Sequence, residues 1–491
     1  MSSINIEELK NLIEPHFHDE LVKSEYIVKD IKANKLLTYT RLDLAFKLQY
    51  LEMLKYDVKF SDEIYKEHIR AFSLGKFTEP GNDNKDSIDK FIEEFKHTYE
   101  SIRVNGFNAG QTMIPLSSNG SIANGAHRIA SAISLDKDVS CVELETTNHM
   151  YDYNFFYNRN VSSEMLDVVV TKFVEYSNNT YIAFIWPTAN SSWETIEKVI
   201  PNIVYQKELT FNYNGAHNLL SQIYYGEEWL GTVENDFSGS KGKLVECFKT
   251  FNPVKVVAFQ AENLDEVLKI KEKIREVFNV GKHSVHITDT KEEAIRTARI
   301  VFNENGIHFL NYAKPNTYMS THRKMDTFKK FIQKNNINLN DTIIDSGMVL
   351  SVYGLRESSD IDYFIVDNNK IQYNDNELEY HDNELEYHDN DKIEMLFNPK
   401  YYFYFNDVKF ISFAQLYKMK MNRAGVKDRN DCKMMEALIE NNMLKSVIHQ
   451  YKQKIFYGQI IVRQKIIESL QRIGVFGIAR KIYRKIKGFD E

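Results

Sequence analysis

The sequence predicts a multidomain α/β protein, and three observations support that prediction. The chain has 491 residues, which is longer than a chain that folds around a single hydrophobic core, so two to four domains are expected. Apolar residues make up 43% of it and prolines number only 8, as in folded globular chains. Strand-like and helical runs alternate through residues 146–320, which is the pattern of an α/β domain.

The cysteines and the hydropathy pattern exclude several protein classes. Cys141, Cys247 and Cys432 lie far apart with no CxxC, so a disulfide scaffold or a cysteine-rich zinc module is not expected. The N-terminus lacks an apolar signal region, and no run of about 18 apolar residues occurs. We therefore expect a cytoplasmic protein that is neither secreted nor embedded in a membrane.

Residues 1–145 are predicted to form a helical region that ends in an α/β unit. RLDLAFKLQYLEMLKY and DSIDKFIEEFKHTYESI carry apolar residues three and four apart, as in helices. The loop TEPGNDNKDS separates them, with Asp86 or Ser87 as the N-cap of the second helix. Short strands and Asn-Gly turns then begin at GFNAGQTMIPLSSNGSIANGAHRIASAISL.

That last stretch resembles the ParB/sulfiredoxin superfamily over residues 105–145. The matching residues are Gly125, His127 and Arg128, with IPLSS as the preceding strand and a helix that opens at His-Arg. A helix N-terminus beside an arginine is suited to phosphate. Ala126 precedes His127 where sulfiredoxin has its cysteine, so the resemblance implies a nucleotide-handling or kinase-like unit. The alternatives are an inert structural copy of the fold and a nucleic-acid-binding module of the DNA-partition kind.

Residues 146–322 are predicted to form an α/β domain of unknown role. In GKHSVHITDTKEEA, Thr288 or Asp289 is the expected N-cap of a helix, and a metal or phosphate site built on His283, His286 or Asp289 is the alternative. FSGSKGK lacks the first glycine of a P-loop and the Ser or Thr after the lysine, so we reject a P-loop there. Binding of an acceptor substrate is one role open to this domain.

Residues 323–447 carry the motif richest in chemistry. Strand-like TIIDSG and helical MVLSVYG precede a strand in GLRESSDIDYFIV, in which Asp360 and Asp362 lie on one face. Ser346-Gly347-Met348, eleven residues, then Asp360-Ile361-Asp362 resembles the nucleotidyltransferase (polymerase β-like) superfamily. Met348 stands where that family has Ser or Gly, so Ser346 or the backbone is the expected phosphate contact.

The resemblance implies a metal-dependent transferase. Asp360 and Asp362 would hold Mg²⁺ or Mn²⁺, and Ser346 and Gly347 would seat phosphate. A third carboxylate should complete the metal site, and the sequence offers Glu379, Glu386 and Glu394, with Asp407 less favoured because it sits in a probable hairpin turn. The DNELEYH duplication over residues 375–388 blurs that choice, and we interpret it as a duplicated hairpin or loop insertion.

Cations downstream extend the predicted site. The stretch NDVKFISFAQLYKMKMNRAGVKDRND predicts a strand and then one helix that carries Lys420, Arg423 and Lys427. Their three- and four-residue spacing would present three cations to a polyphosphate. Together with Arg356 they would neutralise phosphate charge.

The order of Gly347, Leu350, Gly354, Arg356, Asp360 and Asp362 also resembles the LicD and fukutin-related branch, although its IPWDD segment is absent. That resemblance implies transfer of a nucleotidyl or phospho-group from a nucleotide or CDP-linked donor to a sugar, polyol or glycan, as in surface polysaccharide (capsule) synthesis. The alternatives are a protein- or RNA-modifying nucleotidyltransferase of the toxin or defence type and a ParB-like nucleotide- or DNA-binding module.

The tail at 448–491 differs from the body in charge. Residues 451–491 hold ten Lys/Arg and three acids, a net charge of +7. Because the whole chain has a net charge of −7, the remaining residues carry −14. Duplex nucleic acid is therefore a poor partner for the body of the protein. Four apolar residues recur there at helical spacing among five cations: Val475, Ile478, Ile482 and Ile486 among Arg480, Lys481, Arg484, Lys485 and Lys487. A basic amphipathic helix of this kind binds anionic membrane surfaces, here the inner face of the membrane, and packing on the body is the alternative.

Overall fold

The computed structural model describes residues 2–79, 85–147, 150–373, 375–440 and 443–486. Over these ranges the chain is a mixed α/β protein with three mixed or antiparallel sheets, as the sequence predicts for its fold class. The sheets follow one another along the chain. None of the helices in this part of the chain combines the length and the apolar character that a membrane span needs.

The N-terminal sheet has the order β1-β2-β4-β3. Its strands are β1 (Ser2–Asn5), β2 (Glu25–Lys32), β3 (Ile114–Leu116) and β4 (Asp138–Glu143). Its helices are α1 (Ile6–Lys10), α2 (Asp43–Met53), α3 (Lys59–Ser73), α4 (Ile88–Asn105) and α5 (Ala126–Ser134). The predicted strand before His127 and the helix that opens there are confirmed. Strands β1 and β2 lie in a segment that we expected to be helical, and Ser87 is the N-cap of α4.

The middle sheet has the order β6-β7-β5-β8, and its neighbouring strands are antiparallel. Its strands are β5 (Thr180–Ile185), β6 (Ile203–Leu209), β7 (Val254–Gln260) and β8 (Val285–Ile287). The helices are α6 (Tyr153–Tyr157), α7 (Ser163–Tyr176), α8 (Trp193–Val199), α9 (Tyr213–Ile223), α10 (Gly239–Cys247), α11 (Leu264–Phe278), α12 (Lys291–Val301) and α13 (Glu304–Tyr312).

The N-cap predicted for α12 is wrong by one or two residues. Thr290 caps the helix, because its side chain accepts a hydrogen bond from the Glu293 amide at 3.1 Å. Thr288 is instead buried, and its hydroxyl accepts a hydrogen bond from the Ile182 amide at 2.9 Å. A buried threonine that satisfies a strand amide cannot also serve as the helix cap.

The C-terminal sheet has the order β11-β10-β9-β13-β12, with β10–β11 and β9–β13 parallel and the other pairs antiparallel. Its strands are β9 (Thr342–Ile344), β10 (Ile361–Ile365), β11 (Leu378–Tyr380), β12 (Tyr402–Phe405) and β13 (Val408–Ile411). The helices are α14 (Met319–Lys334), α15 (Gly347–Val352), α16 (Lys392–Phe397), α17 (Phe413–Arg423) and α18 (Val426–Ile439).

The single helix predicted for Lys420 to Asp431 is wrong. Helix α17 ends at Arg423, and Ala424 adopts a left-handed conformation with φ 53°. Gly425 then caps α18, whose first turn includes Asp428. The left-handed residue turns the chain, so Lys420 and Arg423 lie on one helix and Lys427 lies on the next.

Two large cores divide the molecule differently from the predicted boundary at residue 145. One core joins buried residues from Ala33 to Leu310 and so serves both the N-terminal helices and the middle sheet. The second packs the C-terminal sheet against its helices and also includes Met53, Val58, Phe309 and Ala313. Smaller clusters lie at the N-terminal sheet and on the other face of the middle sheet.

Two helices, α19 (Met443–Arg472) and α20 (Phe476–Ile486), form the predicted tail. On its predicted apolar face, Val475 and Ile478 are 37% and 64% exposed. Cations Arg480 and Lys481 are exposed as well. The side chains of Ile482, Arg484, Lys485 and Ile486, and the whole of Lys487, lie outside the described residues.

Candidate functional site

Three carboxylates meet at the edge of the C-terminal sheet. Asp360 directly precedes β10 and Asp362 lies within it, and the parallel register places Asp362 beside Glu379 of β11. One oxygen from each of the three side chains lies within 4.8 Å of the other two. We call this set the carboxylate triad. Hard divalent cations prefer such oxygen ligands, so the triad could hold Mg²⁺ or Mn²⁺.

The register therefore selects one of the four acids that the sequence offered. Glu386 is exposed in the 3₁₀-helical second copy of the repeat. Glu394 lies on α16, where it accepts a hydrogen bond from the Phe60 amide at 3.3 Å. Asp407 occupies the turn between β12 and β13. Only Glu379 joins Asp360 and Asp362 in a ligand group among the described residues.

The Ser346-Gly347 turn packs against the loop that carries Asp360. A Cβ atom on Gly347 would lie 2.5 Å from the Ser358 hydroxyl and would displace it. That hydroxyl donates a hydrogen bond to the Asp360 carbonyl at 2.7 Å. Ser346 has a left-handed φ of 51° and is 4% exposed, and its Oγ has no hydrogen-bond partner among the described residues. A buried hydroxyl without a partner is costly unless a ligand satisfies it.

Two histidines from the duplicated segment converge on a buried aspartate that sequence reasoning missed. Asp345 follows β9 directly. Its Oδ2 atom lies 3.3 Å from Nδ1 of His381 and 3.3 Å from Nε2 of His388. These histidines end the two copies of DNELEYH. The other ring nitrogen of His381, Nε2, lies next to the triad, 3.8 Å from Oδ1 of Asp362. Asp345 thus braces the ring that adjoins the triad.

The pKa values follow from burial and from these neighbours. Burial raises the pKa of Asp362 to about 6; the charges of Asp360, Asp345 and Glu379 add to the rise, while His381 opposes it. Burial alone would raise the pKa of Asp345, but His388 and His381 hold it well below the usual range. Burial lowers the pKa of His381, but the hydrogen bond to Asp345 and the charge of Asp362 outweigh burial and raise the pKa above its ordinary value.

Two lysines bring positive charge near the triad. Burial lowers the pKa of Lys427 and nearby Arg356 lowers it further, while Asp431, Asp360 and Asp362 oppose the change. Lys324 of α14 is buried and donates a hydrogen bond to the Ser358 carbonyl. Burial lowers the pKa of Lys324, and the Asp360 charge opposes that shift. The negative charge of Asp360 thus acts on the pKa of both lysines.

Carboxylates hold three more of the predicted cations. Arg356 forms a bidentate pair with Asp431, at 2.8 and 3.0 Å, and Lys420 lies 2.9 Å from the same side chain. Arg423 contacts Asp428 at 2.7 Å and Glu384 at 3.0 Å. These pairs tie the loop before β10 to helices α17 and α18. Their charge is largely compensated within the protein.

The N-terminal residues Gly125, His127 and Arg128 also come together. Gly125 has φ 90°, and a Cβ there would lie 2.8 Å from the Arg128 guanidinium. His127 Nε2 is 2.8 Å from the Tyr65 hydroxyl, and burial holds the pKa of His127 well below its ordinary value. Arg128 pairs with Glu14 at 2.5 Å. At neutral pH this group therefore presents a neutral imidazole and a compensated arginine.

The three residues of the alternative site in the middle domain lie together, away from the carboxylate triad. His283, His286 and Asp289 line a cleft beside β8. His286 Nε2 is 3.1 Å from Glu293 Oε1, and Asp289 is 3.1 Å from Lys271. None of the three belongs to a cluster of metal-ligand atoms within the part of the chain that the structure describes.

Comparison of the chain with models of protein families, with curated proteins and with solved structures found no match.

Proposed function

We propose that the C-terminal domain is a divalent-metal-dependent transferase of nucleotidyl or phospho-groups with a nucleotidyltransferase-like fold. One observation carries the proposal: the carboxylate triad adjoins a glycine turn whose buried Ser346 hydroxyl has no hydrogen-bond partner in the described part of the chain. Carboxylates that can hold a cation, next to a donor without an acceptor, suit a metal-bound polyphosphate.

The chain's own residues would divide the work. Asp360, Asp362 and Glu379 would hold Mg²⁺ or Mn²⁺, which would stabilise charge on phosphate oxygens when bound. The Ser346 hydroxyl would donate a hydrogen bond to a phosphate oxygen, and Lys427 would add positive charge at the same edge. Arg356 and Lys420, through Asp431, would keep α18 and Lys427 in position.

The proposed donor is a nucleotide or a CDP-linked alcohol, and the proposed acceptor is a sugar or polyol of a surface glycan. The resemblance of GMVLSVYGLRESSDID to the LicD and fukutin-related branch supports this choice. We also propose a nucleotide-handling or kinase-like role for the group around His127, which would make the protein bifunctional.

A donor screen tests the proposal. The full-length protein is incubated with Mg²⁺ and CTP, ATP, GTP or a CDP-linked alcohol, each with a sugar, a polyol, RNA or a protein as acceptor. We expect turnover with a sugar or polyol, abolished by EDTA and reduced about 100-fold or more in the Asp360→Ala/Asp362→Ala double variant.

The double variant must first be shown to be folded, and an unchanged urea-unfolding midpoint serves that purpose. Turnover at the wild-type rate in the folded double variant would contradict the proposed site. Transfer to RNA or protein alone would keep the site but replace the glycan acceptor with the toxin or defence type of substrate.

A further inference from the structure

A second cleft of ligand size lies in the middle domain. It has a volume of about 660 Å³, within the range of about 300–1,000 Å³ usual for small-molecule sites. Its walls come from α10, α11, β8, α12 and the segment after α9. We call it the middle cleft, and none of the residues of the carboxylate triad lines it.

The middle cleft has an excess of cations. Five lysines and arginines line it against three acids, Glu227, Asp289 and Glu293. Asp289 is already paired with Lys271, and Glu293 with His286. Three of the lining cations have no carboxylate within ion-pair distance among the described residues: Lys243, Lys282 and Arg296.

Two of those cations are held side by side. Lys243 Nζ donates a hydrogen bond to the Lys282 carbonyl at 3.1 Å, which fixes the α10 lysine next to the turn at Gly281–His283. Burial lowers the pKa of Lys243, and the charges of Lys282 and Arg275 contribute to the shift. Crowded cations of this kind are relieved by an anion, and phosphate accepts several such donors at once.

Polar atoms without partners lie in the same wall. Arg275 Nε and His283 Nδ1 are buried and have no hydrogen-bond partner among the described residues. Burial lowers the pKa of His283, which favours its neutral ring. The Arg275 Nε–H is a buried donor without an acceptor in the described part of the chain, and a ligand oxygen would satisfy it.

An aromatic wall faces these cations. Trp229 and Tyr225 are 45% and 52% exposed although both are large. Tyr224 packs edge to face on Trp229 with ring centroids 5.0 Å apart, and the Lys243 ammonium lies 5.5 Å from the Tyr224 ring. Exposed aromatic faces offer stacking to a planar ring, worth about 1–3 kcal/mol for a nucleobase.

We propose that the middle cleft binds a phosphate ester that carries a ring, of the size of a nucleoside diphosphate, with Lys243 and Lys282 on the phosphates and Trp229 on the ring. The site is independent of the carboxylate triad, and it needs no divalent metal.

Calorimetric titration of the full-length protein in EDTA tests the inference with CDP, pyrophosphate and glucose 1-phosphate as probes. We expect CDP to bind one site per chain and at least about tenfold more tightly than pyrophosphate. The Lys243→Gln/Lys282→Gln variant should bind CDP and pyrophosphate at least about tenfold more weakly. Trp229→Ala should weaken CDP alone. Lys269→Gln is the matched control, because Lys269 is exposed on α11, a helix that lines the cleft through Lys271 and Arg275, but does not itself line the cleft.

The outcomes are separable from the proposed catalytic function. Unchanged CDP binding in Asp360→Ala/Asp362→Ala is expected, and loss of binding in that variant would place the site in the C-terminal domain and overturn the inference. Absence of binding by all three probes, or unchanged affinity in Lys243→Gln/Lys282→Gln, would also overturn it. Glucose 1-phosphate binding more tightly than CDP would retain the phosphate contact and replace the nucleobase by a sugar ring.

Discussion

At the scale of single residues, Asp345 shows how a site can depend on a group that carries no motif. Its backbone amide donates to the Asp362 carbonyl at 2.8 Å, and its carboxylate orders two histidines. The sequence placed it at the end of a buried strand in TIIDSG, and that position was the available signal. Its histidine partners could not be predicted from the local sequence, because they lie 36 and 43 residues away in the repeat.

The raised pKa of Asp362 predicts how metal affinity depends on pH. The ordinary pKa of an aspartate is about 3.9 and that of Asp362 is about 6, so between these values the folded, metal-free protein carries a proton that the unfolded chain has lost. Metal binding must expel that proton. The apparent affinity for Mn²⁺ should therefore fall about tenfold per pH unit below pH 6 and level off above pH 7.

Calorimetric Mn²⁺ titrations at pH 5 to 8 measure this dependence. Asp362→Asn, which cannot titrate, should bind weakly and without the change in slope near pH 6. An affinity of the wild-type protein that is constant from pH 5 to 8 would contradict the linkage between metal binding and the raised pKa of Asp362.

At the scale of elements, the duplicated DNELEYH shows the limit of local reasoning. The first copy supplies β11 and the triad's Glu379, whereas the second forms a 3₁₀ helix over Asp382–Tyr387. Identical sequences have identical propensities, so pairing with β10 decides the outcome. The β9-α15-β10 unit was predictable because its signals are local, but the third carboxylate depended on a parallel pairing across a loop.

The break between α17 and α18 gives a stability prediction. Ala424 has φ 53° and ψ 20°, a left-handed conformation that costs a residue with a Cβ more than it costs glycine. Ala424→Gly should raise the free energy of unfolding by about 0.5–1 kcal/mol.

Urea unfolding of both the variant and a matched control measures this effect. Ala437 lies inside α18 and is 2% exposed, so Ala437→Gly should lower the free energy of unfolding by about 1 kcal/mol or more. The same substitution thus has opposite signs at two positions. A destabilised Ala424→Gly variant would show that the left-handed turn is not the native one.

At the scale of the whole molecule, packing crosses the boundary that the sequence predicts at residue 145. Helices α2 and α5 share buried neighbours with α7 and with strands of the middle sheet, so the N-terminal unit and the middle domain form a joint core. The alternation of strand-like and helical runs that begins at residue 146 predicts elements, but it carries no information about which of their faces meet. The core around the C-terminal sheet likewise takes in buried residues from earlier segments of the chain: Met53, Val58, Phe309 and Ala313.

The charge distribution is also a property of the whole chain. The acidic body and the basic tail from residue 451 were evident from composition, and the helices of the tail are present. Binding of the tail to an anionic membrane surface stays a prediction.

The central claim is that Asp360, Asp362 and Glu379 form one metal site, and the two copies of the repeat provide a matched test. Glu379 and Glu386 occupy the same place in the two copies, but only Glu379 reaches the triad. Calorimetric Mn²⁺ titration of Glu379→Gln and Glu386→Gln at pH 7.5 is the most direct measurement. We predict that Glu379→Gln weakens binding about tenfold or more and that Glu386→Gln leaves it unchanged. Equal effects of the two substitutions, or no Mn²⁺ binding by the wild-type protein, would contradict the claim.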